Sequence, residues 1–371
     1  MSLDKIREAI DEVDFVIRDN FKKRMRLSEK VAAEKFQRGD AVFKPEREEF
    51  VIENLTEGME EPLKVEYTSF LKKVMEISRT RQYKKLIQQG KEFPVNFLEK
   101  CQPVSTVCYQ GLEGSYSAKT AKMGFPDAKL HHVVSFEAVF SQVSQGNCEM
   151  GIVPLENTTA GNINEVYDLL LKYDLYINFI KISHICHCLL GLPEAKMKDI
   201  RTVYSHPQAL SQCGEFIKHH HLEQHQATNT AVAAKFVSQQ EEVSVAAIGS
   251  EEAAQLYGMK ILAYEINHNK ENATKFIAVS KNLIVEESFN KISIVFSCPH
   301  KSGSLAGVLS IFSDYGVNLT EIHSRPDGKS PWKYLFYVDF PGNLKEKHIQ
   351  ALIFQLGEEL PFIKILGNYQ V

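Results

Sequence analysis

The chain has 371 residues, 44% of them hydrophobic and 24% charged, with 43 basic and 47 acidic side chains for a net charge of -4. At roughly 100 to 200 residues per domain this length holds about two to four domains. The balance excludes a disordered or collagen-like chain, and a dedicated nucleic-acid binder would carry a basic domain or stripe.

Composition shifts near residue 100. Of the 20 glycines only Gly39, Gly58 and Gly90 precede it, and all 7 cysteines and all 13 histidines follow it. No apolar run approaches the roughly 20 residues of a membrane-spanning helix, and MSLDKIREAIDEVD lacks the apolar core and cleavage site of a secretory signal. A cytoplasmic location is expected, and an odd cysteine count without small-scaffold spacing fits free thiols in a reducing compartment.

From Leu3 to Val31 apolar residues recur at Leu3, Ile6, Ile10, Val13, Ile17, Leu27 and Val31. Steps of three and four predict one long amphipathic helix, with Asn20 and Arg24 interrupting the seam and Gly39 as its stop. Glu46 to Asn54 and Leu63 to Gln89 read as two more helices. A guanidinium at a seam position must meet an anion or acceptors, which makes Arg24 a candidate ligand-binding residue. Lys35 lies about 16 Å further along nearly the same face. Arg7 is about 25 Å from Arg24 along the axis and roughly 100° around it, so the two reach one small ligand only if Arg7 comes from a second copy. Arg47 and Glu48 open the second helix, and Ser78 and Gln82 form an i, i+4 pair on the third.

By spacing alone these are ordinary solvated helix faces. Their order and spacing, however, resemble the all-helical chorismate mutase family over residues 1 to about 90. The resemblance implies that Arg7 and Arg24 clamp the two substrate carboxylates, with Arg47 adding charge nearby. It implies that Lys35 and Gln82 hydrogen-bond the ether oxygen of the breaking bond, Glu48 holds the ring hydroxyl, and Ser78 supports them. Lys44 stands where that family commonly has Asp.

Beyond Pro94 short β-branched runs alternate with helical patterns, among them VSTVCYQG, EMGIVPLEN, LYINFIKI, ISHICHCLL, IRTVYSHP and KFIAVS. This predicts an α/β domain with a mainly parallel sheet and ligands beyond the strand ends. Four motifs fall at strand edges: Gly111-Leu112-Glu113-Gly114-Ser115-Tyr116-Ser117, Glu156-Asn157-Thr158-Thr159, Ser205-His206-Pro207-Gln208 and Asn272-Ala273-Thr274-Lys275-Phe276. Singly each is ordinary turn chemistry. Together they resemble prephenate dehydratase over about residues 104 to 282, a family whose α/β domain has two lobes with the substrate between them. The resemblance makes Thr274 the catalytic residue that helps the ring hydroxyl leave. It makes Glu156, Asn157, Thr158, Ser205, Gln212, Lys275 and Phe276 substrate contacts, with Lys275 where the family usually has Arg.

His184, Cys186, His187 and Cys188 invite a metal reading, but alternation along one strand would put His187 opposite the other three, and strand packing is preferred. His219, His220, His221 and His225 read as a solvated helix end. Neither group is assigned a function.

After a linker at Glu286 to Lys291, the last eighty or so residues read βαββαβ, a ferredoxin-like unit. Its strands and helices are placed at Ile292 to Ser297, Ser304 to Tyr315, Tyr334 to Phe340, Lys345 to Leu356 and Phe362 to Leu366, with a turn from Pro326 to Pro331. Gly303-Ser304-Leu305-Ala306 and His323-Ser324-Arg325-Pro326 resemble the effector motifs of ACT domains attached to prephenate dehydratases. The implied effector site comprises Gly303, Ser304, Leu305, Ser324, Arg325 and Pro326, with phenylalanine as ligand and Trp332 as a probe. His323 replaces the usual Glu.

The expected protein is multidomain: an all-α mutase at 1–93, a two-lobed α/β dehydratase at 104–282 and an α+β ACT unit at 291–371. It would take chorismate to prephenate and prephenate to phenylpyruvate under feedback by phenylalanine, as a homodimer or higher oligomer, without cofactor, metal, nucleic acid or membrane. Two alternatives stand beside it: a dehydratase whose helical part only dimerises, and a non-catalytic sensor of aromatic amino acids or prephenate.

Overall fold

In the computed structural model, which describes residues 2–327 and 333–371, helix α1 runs over Leu3–Arg38, about 54 Å. The Ser2 side chain accepts the Lys5 N–H at 3.5 Å at its start. Gly39 ends it at a φ of 70°, returning its N–H to the Lys35 carbonyl. Of α1 only Met25, Ser28 and Ala32 are buried, and its seam residues Leu3, Ile6, Ile10, Val13, Ile17, Leu27 and Val31 are exposed. Proline opens α2 (Pro45–Thr56), where its missing N–H costs nothing. Helix α3 (Leu63–Gln88) is buried on more than one stripe, at Leu71, Val74, Met75, Ser78, Thr80, Gln82, Tyr83, Leu86 and Ile87.

The reason is that α3 packs against α1 and also against a helix from the chain's far end. By internal contacts the chain forms two units: Met1–Asn96 with Phe289–Ile365, and Phe97–Ser288 with Leu366–Val371.

The second unit contains β1 (Thr106–Gln110), α4 (Tyr116–Gly124), β2 (Lys129–Val133), α5 (Phe136–Gln145), β3 (Met150–Asn157), β4 (Gly161–Asn162), α6 (Asn164–Lys172) and β5 (Tyr176–His184). It continues with β6 (Cys188–Gly191), β7 (Thr202–Ser205), α7 (Pro207–Gln212), α8 (Gly214–His219), β8 (Glu223–Gln226), α9 (Thr230–Ser238), β9 (Val245–Gly249), α10 (Glu251–Leu256), β10 (Lys260–Ala263) and β11 (Ala273–Ser280). Strands β5-β11-β3-β1-β2 form one sheet and β10-β6-β9-β7-β8 the other. Alternation sorts the second sheet's core: Leu189 and Ile248 join the cluster on one face, and Leu190 and Ala247 that on the other.

Three expectations need correction. The sheets are mixed rather than mainly parallel: β1 runs parallel to β2 and β3, and β7 to β8 and β9, but β11 is antiparallel to both neighbours and β6 to β9 and β10. The chain crosses between the sheets twice, before β6 and before β11, and the strand after each crossing runs back. The run ISHICHCLL is not one strand but the end of β5 and the start of β6, with His187 in the crossing between them. Finally, His219 to His221 do end α8, but His225 sits on β8 with its ring stacked on Tyr204, centroids 4.9 Å apart.

The C-terminal elements follow the expected order: β12 (Lys291–Ser297), α11 (Ser304–Asp314), β13 (Glu321–Pro326), β14 (Tyr334–Pro341), α12 (Lys347–Glu359) and β15 (Phe362–Tyr369). Their sheet order is β13-β14-β12-β15, and α12 is the helix that packs on α3. Trp332 and most of the expected turn lie outside the described residues.

Candidate active sites

Where α1 meets α3, the Arg24 guanidinium donates to the Val74 carbonyl at 3.1 Å and to Ser78 Oγ. Burial lowers the Arg24 pKa, with Glu48 opposing the shift. Lys35 donates to the Val42 carbonyl at 2.6 Å, and its pKa is lowered by burial and then by Lys44. Gln82 is buried on the same helix as Ser78, and its Oε1 has no hydrogen-bond partner among the described residues. Glu48 lies at the start of α2, and both its oxygens accept from Arg79, at 2.5 and 2.7 Å.

Not every helical candidate is gathered. Arg7 is exposed, 3.7 Å from Asp4, and Arg47 lies over the Phe50 ring at 5.2 Å on an exposed stretch of α2. Lys44 caps α2 without a side-chain cap bond and pairs with Asp40 at 3.4 Å. The residue that reasoning from the sequence missed here is Arg79, which in sequence is just one of two arginines between Ser78 and Gln82.

In the second unit, antiparallel register sets Thr274 opposite Asn157 and Lys275 opposite Glu156. Asn157 Nδ2 donates to Thr274 Oγ1 at 2.9 Å and to Asn272 Oδ1 at 2.9 Å, while its Oδ1 accepts the Thr159 and Ala160 N–H groups, each at 3.0 Å. Asn272 Nδ2 donates to Gln212 Oε1 at 3.1 Å. Gln208 reaches Asn157 Oδ1 at 3.3 Å. Both Asn157 and Thr274 are buried, so the Thr274 hydroxyl accepts one fixed hydrogen bond and keeps its own proton for another partner.

The other candidates are placed differently. Lys275 pairs with Glu156 at 2.7 Å. Phe276 is part of the core, and Ser205 is fully buried, donating to the Ile248 carbonyl at 2.6 Å. Thr158 Oγ1 accepts the Ala273 N–H at 3.0 Å and ties the β3 end to β11. Gln212 joins the Asn272 network although α7 lies far from β3 in sequence. Asn272, Gln208 and His187 belong to that network too; the first two stood in recognised motifs without a role, and His187 was assigned to strand packing.

In the C-terminal part, Gly303 precedes α11 with a φ of 79°, and Ser304 and Leu305 form the helix's first turn. Ser324, Arg325 and Pro326 lie on β13. The His323 ring stacks on Tyr337, centroids 5.0 Å apart.

Comparison with known proteins matches these parts in chain order: chorismate mutase type II at residues 6–83, prephenate dehydratase at 107–284 and ACT domain at 292–358. A bifunctional chorismate mutase/prephenate dehydratase of Buchnera aphidicola is 32% identical over 98% of this chain and 95% of its own. The chain belongs to the bifunctional chorismate mutase/prephenate dehydratases. An arogenate dehydratase/prephenate dehydratase of Arabidopsis thaliana is 35% identical over 71% of each chain. A prephenate dehydratase of Arthrobacter aurescens, solved in complex with L-Phe, superposes with a TM-score of 0.66 at 26% identity, covering 72% of this chain and 90% of that one.

Membership in the bifunctional mutase/dehydratases carries both activities and sets aside the dehydratase-only and sensor alternatives. The protein is an enzyme of phenylalanine biosynthesis with a regulatory ACT domain. Among its described residues no helix is long and apolar enough to cross a membrane.

Proposed function

We propose that Thr274 is the proton donor of the dehydratase step, and the observation that carries this is the 2.9 Å hydrogen bond from Asn157 Nδ2 to Thr274 Oγ1. Asn157 Nδ2 can only donate, so the hydroxyl accepts there and its proton is left for another acceptor. In the step itself the ring C–O bond of prephenate breaks as its oxygen takes up a proton and leaves as water. The bond to the ring carboxylate breaks at the same time, CO₂ departs, and the electron pair left behind completes the aromatic ring of phenylpyruvate. The driving force lies in the substrate, so orientation and a proton path are what the protein supplies. Glu156, Asn157, Thr158, Ser205, Gln212, Lys275 and Phe276 are the proposed substrate shell. Its first layer is Asn157 and Gln212, and buried Ser205 and Phe276 act from behind.

For the mutase step we assign Arg24 and Arg7 to the substrate carboxylates, Lys35 and Gln82 to the ether oxygen, Glu48 to the ring hydroxyl, and Arg47 and Ser78 to supporting charge and position. Gln82 supports this reading by position, since it is buried one helical turn from Ser78 and carries an amide NH₂ that can donate to an ether oxygen. Such a rearrangement makes no covalent bond to the protein, and cations held where charge develops are sufficient.

Arg7 completes that site from a second copy. The seam of α1, exposed from Leu3 to Val31, is the apolar face such a copy would cover. Homodimerisation, the partition at 1–93, 104–282 and 291–371, and a cytoplasmic location supported by seven free thiols belong to the same proposal.

Phenylalanine is the proposed effector, held by Gly303, Ser304, Leu305, Ser324, Arg325 and Pro326. Gly303 opens an eleven-residue helix whose first N–H groups suit a carboxylate. The test is a product assay from chorismate, with and without phenylalanine. Phenylpyruvate should form and decline as phenylalanine is added; a rate indifferent to phenylalanine would remove the effector assignment.

A further inference from the structure

His187 lies in the chain's first crossing between the two sheets and is 3% exposed. The second crossing grips its backbone: its N–H donates to Asn267 Oδ1 at 3.1 Å and its carbonyl accepts the Ile266 N–H at 2.9 Å. The imidazole Nε2 lies 3.0 Å from Gln212 Oε1, and Nδ1 lies 3.2 Å from the Tyr116 hydroxyl. Strand packing, the reading from the sequence, accounts for none of this.

The polarity of the network can be deduced from the backbone. The N–H groups of Thr159 and Ala160 can only donate, so the Asn157 atom they meet is its oxygen and the other is its NH₂. That NH₂ donates to Asn272, so Asn272 presents oxygen to Asn157 and its own NH₂ to Gln212. Gln212 therefore turns oxygen toward both Asn272 and His187. An oxygen cannot donate, so His187 carries its proton on Nε2, and Nδ1 is the acceptor for the Tyr116 hydroxyl. The chain ends at Gln212 Nε2, a buried donor with no partner among the described residues, beside an asparagine two residues from Thr274.

We propose that His187 is a positioning residue for the dehydratase reaction: as the Nε2–H tautomer, steadied by Tyr116 at Nδ1, it pins the Gln212 carbonyl so that the Gln212 NH₂ is presented to substrate. Burial supports this by lowering the imidazole pKa to about 4, which keeps one nitrogen proton-free at neutral pH. The single Tyr116 hydroxyl proton is shared between Nδ1 and the Cys186 carbonyl, which lies 2.7 Å from the same oxygen and can only accept. This positioning role gives Tyr116, the first residue of α4, a part beyond turn chemistry. It rests on the reading of Gln212 as a substrate contact.

The test is steady-state kinetics with prephenate on the full chain for Gln212→Ala, His187→Leu, His187→Gln and the double variant Gln212→Ala/His187→Leu. Loss of one such hydrogen bond raises KM about tenfold in each of Gln212→Ala and His187→Leu. The double variant should be no worse than Gln212→Ala alone, because His187 acts through Gln212. His187→Gln, which can return an N–H near the Nε2 position, should recover most of the loss. An unchanged Gln212→Ala overturns the substrate-contact reading. An impaired Gln212→Ala with an unchanged His187→Leu, or a double variant impaired by the product of both single effects, overturns the positioning role. If His187→Leu loses its near-ultraviolet circular dichroism, Tyr116→Phe takes its place: its KM should rise in the wild-type background and not in Gln212→Ala, and equal rises in both would sink the proposal.

Discussion

Arg79 meets Glu359 side-on, its Nε donating to one carboxylate oxygen at 2.8 Å and a terminal nitrogen to the other at 3.1 Å. The remaining terminal nitrogen holds both oxygens of Glu48, and the Phe43 ring lies 4.8 Å from the guanidinium. One cation thus serves two carboxylates from α2 and α12. Burial alone would lower the Arg79 pKa, but Glu359 and Glu48 outweigh it and raise it.

Arg79→Leu should therefore be costly, since removing one partner of a buried ion pair costs about 3–5 kcal/mol. Urea unfolding should show that loss, and Arg79→Lys should recover only part of it because the planar fork is gone. A loss below about 1 kcal/mol for Arg79→Leu would place this cluster with surface ion pairs.

Thr274→Ala should lower dehydratase turnover by about a hundredfold or more, the range of a lost proton-transfer group, with mutase activity retained. Thr274→Ser keeps the hydroxyl that Asn157 addresses and should keep a substantial fraction. Coupled assays of chorismate loss and phenylpyruvate appearance read both sites in one preparation. Equal turnover in Thr274→Ala and wild type would remove the proton-donor assignment.

The shared mutase site predicts complementation. Arg7→Ala and Arg24→Ala should each be nearly inactive as chorismate mutases. Refolded together from denaturant, they should recover about a quarter of wild-type activity, because half the dimers are mixed and one of their two sites is intact. A mixture as inactive as its components would show that Arg7 and Arg24 do not share a site across copies. On the exposed seam, Ile10→Glu should shift sedimentation toward the monomer and lower mutase activity with it.

His187 also makes a prediction for stability against pH. Its pKa is lowered from 6.5 to about 4, so the unfolded chain takes up a proton before the folded one does. The stability associated with the neutral ring is complete above about pH 6.5 and is lost as pH falls toward 4, by about 1.4 kcal/mol per pH unit. Between those limits wild type should lose stability more steeply than His187→Gln. Parallel pH dependences in urea titrations of the two proteins would contradict the burial argument.

Much of the fold was legible because its signals are local. Steps of three and four from Leu3 to Val31, the stop at Gly39, and the alternation of short β-branched runs with helical ones each lie within a few residues. The βαββαβ order was legible for the same reason, and motif order pointed to the family before any geometry was known. The sheet direction was not, since β6 and β11 turn back only because the chain crosses between sheets, and the strands each one pairs with lie far from it in sequence.

The sites divide along the same line. The sequence alone determined which residue types could do the chemistry: cations on a helical seam, a hydroxyl and amides at strand ends, glycine before α11. Tertiary structure decided which of them meet. Thr274 and Asn157 are 117 positions apart and become partners through the register of β11 against β3. Register is set by the burial of whole strands rather than by either residue. Arg79 and Glu359 are 280 positions apart, and in sequence each looks like one more charge on a helix. A charge shows its partner only when packing has excluded water from both, and that is a property of the folded chain.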